Sequence, residues 1–107
     1  MIYLVELRAR PGQGPTVLAQ LERLRASTLL EPGAVAYLIH HAASDPDHIV
    51  LYERYASQAA ADAHMGSAPV REALNAFATL LAESPRLLPI TPMGGFAHGQ
   101  RIEALPA

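Results

Sequence analysis

The reactive side chains of this chain concentrate between Ile49 and Arg71, in the run IVLYERYASQAAADAHMGSAPVR. Tyr52, Glu53, Arg54, Tyr55, Asp62 and His64 bring phenols, carboxylates, a guanidinium and an imidazole into one short stretch. Such groups suit proton transfer and hydrogen-bonded binding of a small molecule. Each also has a plainer reading. His64, late in Ala-Asp-Ala-His-Met, can be a packed or capping histidine. Glu53 alternates with Ile49, Leu51 and Tyr55, and a carboxylate buried among apolar side chains must be paired or protonated. An ion pair with Arg8 or Arg54 would satisfy it without any chemistry. Tyr37, Tyr52 and Tyr55 are strand aromatics, which usually serve core or interface, and Tyr37 is the favoured pocket residue. Arg54, Asp62 and Tyr55 are assigned to surface or interface. Asn75, a polar residue in an apolar helical stretch, either lines the cavity or faces water.

Other chemistries find less support. His40 and His41 are adjacent on a strand and point to opposite faces, His48 and His98 lie in loops, and no carboxylate stands at ligand spacing, so no metal site is expected. Gly12 and Gly14 lack the third glycine of a dinucleotide fingerprint, and no serine occupies a nucleophile elbow. With no cysteine, disulfides, thiolate metal sites and thiol nucleophiles are excluded together.

The elements that must hold these groups follow from periodicity. Ile2–Arg10 alternates as a strand, with Tyr3, Val5, Leu7 and Ala9 opposite Ile2, Leu4, Glu6 and Arg8, and it is apolar on both faces. Pro15 opens an amphipathic helix carrying Val17, Leu18, Leu21, Leu24 and Thr28, and Glu31-Pro32-Gly33 stops it, with Gly33 able to take a positive φ. A second strand runs from Ala34 to Ala42, and Ser44-Asp45-Pro46-Asp47 reads as a turn before an antiparallel third strand, Ile49–Tyr55. Ser57 caps a helix from Gln58 to Met65, and a further helix from Ser67 ends near Ser84, with Val70, Leu74, Phe77, Leu80 and Leu81 as its stripe. Arg86–Thr91 is a fourth strand, placed at an edge by Pro89, before a glycine-rich tail.

Strand, helix, two strands, two helices and a strand describe an α+β, ferredoxin-like antiparallel sheet with helices on one face. The 107 residues suit one domain, with a core of about 2–93 and a tail of 94–107. Apolar residues make up 50% and charged residues 17%, more apolar surface than so short a chain hides alone, and the strands are apolar on the face that no helix covers. A homodimer, its two sheets face to face, is the expected remedy. A net charge of −2 without charge runs points to neither nucleic acid nor membrane as partner, and the N-terminus has no signal-peptide pattern, so a cytoplasmic protein is expected.

Glu31-Pro32-Gly33, Asp45-Pro46, Tyr52-Glu53-Arg54-Tyr55, Ala60, His64 and Ser67 fall in a pattern that resembles the antibiotic biosynthesis monooxygenase family of the dimeric α/β-barrel superfamily, over roughly residues 2–93. The resemblance implies a cofactor-independent monooxygenase acting on a small aromatic or quinol-type molecule, with no metal or flavin. It implies His64 as the base, Glu53 holding the imidazole or a substrate hydroxyl, and Tyr37 or Tyr52 orienting a substrate oxygen; Asn75, from its place in the helix, completes the expected substrate-binding residues. Haem-degrading relatives carry a tryptophan near the position of His64, and this chain has none. Isomerase relatives carry a second histidine near Pro69, also absent here. A non-catalytic dimer that binds an apolar ligand or protects against stress, and an isomerase of a small carbonyl compound, are the alternatives.

Overall fold

The computed structural model describes residues 1–98. The expected tail beyond Gly99, with Ile102 and Leu105, lies outside the described residues. Seven elements follow in order: β1 (Ile2–Arg8), α1 (Gly14–Thr28), β2 (Ala34–Ala42), β3 (Asp45–Tyr55), α2 (Gln58–Met65), α3 (Ala68–Leu80) and β4 (Arg86–Ile90). The strands form one sheet in the order β2-β3-β1-β4, every neighbouring pair antiparallel. The helices cover one face, giving the α+β ferredoxin-like arrangement that the element order implies.

Register follows the side-chain alternation. Val5 stands opposite Leu51 on one side and Leu87 on the other, while Leu4 stands opposite Tyr52 and Leu88. The first set faces the helices and meets Val17 and Leu21 of α1 and Val70, Ala73 and Phe77 of α3 in the core. Val17 and Leu21 are buried to 1% exposure or less, and each such side chain contributes about 1.5–3 kcal/mol. The opposite sheet face keeps Leu4 and Leu88 exposed, and no described helix packs on it. Pro89 does lie on an edge strand, where its missing N–H breaks no ladder.

Three local features depart from the sequence reading. β3 begins at Asp45, four residues earlier than Ile49, and the hairpin turn is the pair Ala43-Ser44. Asp45-Pro46-Asp47 has turn composition, but its side chains bond to backbone N–H groups from within the strand. Asp45 Oδ1 accepts from the N–H of Asp47, and the Asp47 carboxylate accepts from Gly12 (3.0 Å) and Gly14 (2.8 Å). Asp47 thereby ties the start of α1 to the sheet. The last helix stops at Leu80 and not near Ser84, because Leu81 turns extended, bridges Ala9 and buries its side chain in the core. Gly33 has no positive φ; among the described glycines only Gly12, Gly94 and Gly95 do. Its requirement is space, since a Cβ at Gly33 would lie 2.4 Å from the Cβ of Ala60.

Candidate functional site

α2 is short, and its ends are set locally. Ser57 Oγ accepts from the N–H of Ala60, and Ser67 Oγ donates to the carbonyl of His64 beyond the other end. Ala61 and His64, three residues apart, form its buried face. His64 is therefore aimed into the molecule, with its side chain 3% exposed.

Two carboxylates meet this imidazole from opposite sides. Nδ1 lies 3.0 and 3.1 Å from the two oxygens of Glu31, in the middle of the α1–β2 connection. A carboxylate only accepts, so Nδ1 carries the hydrogen and Nε2 presents its lone pair. Nε2 lies 3.5 Å from Oε1 of Glu53 on β3, a contact longer than a strong hydrogen bond. Tyr55, two residues along the same strand face, donates its hydroxyl to that same Glu53 oxygen at 2.5 Å, and its ring sits 4.9 Å from the imidazole, centre to centre. Burial pushes Glu53 above the ordinary carboxylate value, opposed by the Tyr55 bond and by His64 and reinforced by the negative charge of Glu31. Burial, and then the neighbouring Glu53, likewise raises both the Tyr37 and the Tyr55 phenol.

Tyr37 of β2 is paired with Glu53 across the sheet and stands 6.3 Å from His64 between ring centres. Its hydroxyl is the one buried side-chain polar atom among the described residues without a hydrogen-bond partner. Tyr37, Glu53 and His64 lie along a cavity of about 60 Å³ whose remaining lining is apolar, including Val5, Leu51 and Phe77. Leu74 of α3 and Leu87 of β4 line it while staying partly exposed, so they form its rim.

His64, Glu53 and Tyr37 are thus brought together, and the other two expected binding residues are not. Tyr52 points to the opposite sheet face, between Leu4 and Leu38, as alternation from Glu53 requires. Asn75 is exposed because α3 buries Val70, Ala73 and Phe77 and turns the side chain at 75 outward. Glu53 uses neither Arg8, which pairs with Glu6 and Glu83, nor Arg54. Tyr55, assigned to a surface or interface by sequence, is 1% exposed and holds Glu53. Glu31 was missed as a site residue. It stands 33 residues from His64, and its only local signal is a helix stop. Among the described residues no three His, Cys, Asp or Glu side chains are arranged to hold a metal ion.

Comparison with solved structures finds the same fold repeatedly. A Mycobacterium tuberculosis protein superposes with a TM-score of 0.80 at 24% identity, over 88% of this chain and 95% of that one. A Bacteroides thetaiotaomicron protein gives 0.80 at 21%, over 96% and 95%, and a Chloroflexus aurantiacus protein gives 0.69 at 26%, over 91% and 98%. No curated protein matches the sequence significantly. The family model for antibiotic biosynthesis monooxygenase matches residues 1–76, most of the length and all of the cavity lining except Phe77, Pro85 and Leu87. On that match the chain belongs to the antibiotic biosynthesis monooxygenase family.

Proposed function

We propose that this protein is a monooxygenase for a small quinol-type aromatic molecule, using dioxygen without metal or flavin, with His64 and Glu53 moving the protons. The observation that carries this reading is an imidazole held between two carboxylates at the wall of an apolar cavity, beside a buried tyrosine hydroxyl that lacks a partner. Such a hydroxyl loses a hydrogen bond's worth of stability until a ligand oxygen supplies one. Tyr37 is placed to bind that oxygen, and the bare Nε2 of His64 to take the proton from a substrate hydroxyl.

The chemistry balances on the substrate alone. Deprotonation makes the ring electron-rich enough to pass an electron to dioxygen, and recombination forms a carbon–oxygen bond and a ring hydroperoxide. The proton returns to the outer oxygen, which leaves as water, and the ring ends as a hydroxyquinone. All four electrons that reduce dioxygen come from the quinol, so no external reductant is needed. The protein's part is to deprotonate, orient and exclude water.

The cavity constrains the ligand. An aromatic ring needs more room than is present, since benzene occupies a cavity of about 150 Å³. The rim side chains Leu74 and Leu87 must therefore turn outward on binding. The same proposal takes the whole chain as one domain acting in the cytoplasm as a homodimer, a second copy covering the sheet face that carries Leu4 and Leu88. The family match and that uncovered apolar face support it.

Oxygen uptake in the presence of hydroquinones or an anthrone tests the function. One dioxygen should be consumed per quinone formed (a hydroxyquinone from a hydroquinone, an anthraquinone from an anthrone), and His64→Ala should slow turnover by about 10²–10⁴-fold. Ligand binding without any uptake above the spontaneous rate would instead favour a non-catalytic binding protein, and full turnover by His64→Ala would remove the histidine from the mechanism.

A further inference from the structure

Glu31 links the buried site to the surface. Its carboxylate spans Nδ1 of His64 with both oxygens, yet its side chain is 27% exposed where that of His64 is 3%. On its outer side it borders a surface hollow lined by Ser27, Gly33, Ala60, Ala63 and Ser67. Among the described residues no Lys or Arg lies within ion-pair distance of Glu31, so the imidazole is its charged-group partner. The carboxylate is held there by the backbone: Gly33, two residues on, lets the connection lie directly against Ala60 of α2, one turn before His64.

We infer that Glu31 is the positioning residue of the proton-transfer site: it fixes His64 with hydrogen on Nδ1 and the lone pair of Nε2 toward Glu53 and the cavity. This rests on the reading of His64 as the base. When Nε2 takes the substrate proton, the imidazole becomes a cation, and the Glu31 charge 3 Å from Nδ1 stabilises it. Glu31 does not itself line the cavity, and its contact with the lining is His64, through which it acts. The groups facing the imidazole are Glu53 and Tyr55 from β3, Tyr37 from β2 and Glu31 from the α1–β2 connection. Of these, only Glu31 can both accept from Nδ1 and reach bulk water.

The experiment compares wild type with Glu31→Gln and Glu31→Ala in the full chain. Glutamine keeps an acceptor for Nδ1 and removes the charge, whereas alanine removes both. Nitrogen-15 NMR of the His64 ring reports which nitrogen carries the hydrogen and where the ring titrates. Wild type and Glu31→Gln should show hydrogen on Nδ1, and Glu31→Ala should lose that preference. In Glu31→Gln the ring should titrate at lower pH than in wild type, the acid limb of kcat/KM should move the same way, and kcat should fall about tenfold with KM little changed. An unchanged tautomer in Glu31→Ala, or an unchanged titration and pH profile in Glu31→Gln, overturns the inference. The two readings separate cleanly. Wild type that oxidises no quinol while Glu31→Gln still shifts the His64 ring leaves the pairing standing and the reaction wrong. Quinol turnover with no Glu31 effect leaves the reaction standing and the pairing wrong.

Discussion

The contact between Gly33 and Ala60 can be tested by swapping which of the two residues carries the methyl group. A methyl group added at Gly33 would sit 2.4 Å from the Ala60 Cβ and 3.5 Å from its Cα. Ordinary carbon contacts begin near 3.5 Å, so the connection or α2 must shift by about 1 Å. Overpacking of that size costs about 1–3 kcal/mol, which for a chain of this length lowers Tm by about 4–8 °C per kcal/mol. Ala60→Gly alone should cost about 1 kcal/mol as a glycine inside a helix. In the double variant the methyl group introduced at position 33 meets only the Cα at 3.5 Å, which is unstrained. The pair should therefore be more stable than the sum of the single effects by about 1 kcal/mol or more, measured as urea midpoints at constant slope. Gly33→Ala should also weaken the Glu31–His64 contact, and the double variant should restore it. Additive single effects would refute the steric account of this glycine.

Other parts of the molecule yield sharper or simpler tests. Asp47→Ala removes the acceptor for the N–H groups of Gly12 and Gly14, and thermal unfolding should show a loss of about 1–2 kcal/mol, with Asp47→Asn recovering part of it. Glu53 has its pKa raised by folding, so the native state holds this proton more tightly than the unfolded chain does. Its contribution is complete below the ordinary carboxylate value of 4.5 and is lost as pH rises through the raised native value. Urea midpoints across that window should consequently fall more steeply with pH in wild type than in Glu53→Gln; parallel curves would contradict the burial assigned to Glu53. Sedimentation at micromolar concentration should give twice the chain mass, and Leu4→Glu, on the central strand of the uncovered face, should reduce it to one chain. A monomeric wild type would exclude the face-to-face pairing.

Much of the fold was legible because local signals and long-range packing agree. Ser57 and Gly66 bracket α2 so tightly that its limits follow from sequence, and β2 runs from Ala34 to Ala42 as its alternation indicates. The errors arise where a residue's usual local role is overruled. Asp45, Pro46 and Asp47 have turn chemistry but continue a strand, because the Asp47 carboxylate is needed at α1 and its backbone carbonyl at Ala9. Leu80 ends α3 early because the next residues pair with the end of β1. At the site, the alternation that groups Glu53 with Ile49, Leu51 and Tyr55 also requires Tyr52 to face away, which is at odds with expecting Tyr52 in the pocket. Asn75 misses the buried stripe of α3 by its angular position on the helix. Glu31 could not be found by spacing at all, since no helical or strand period connects residues 33 apart.

The strand order has a consequence for how the molecule comes into being. β1 is central, yet its neighbours β3 and β4 begin more than thirty and more than seventy residues after it ends. Each pairing closes a long loop, and such topologies fold slowly compared with helical bundles of the same size. During synthesis, residues 2–55 can already zip β1, β2 and β3 together, which sets Glu31, Tyr37 and Glu53 in place before α2 delivers the imidazole. The last strand to emerge then adds Leu87 to the cavity's rim. In chain order Glu31, Tyr37 and Glu53 all precede α2, so the imidazole is the last of these four polar groups that the chain supplies.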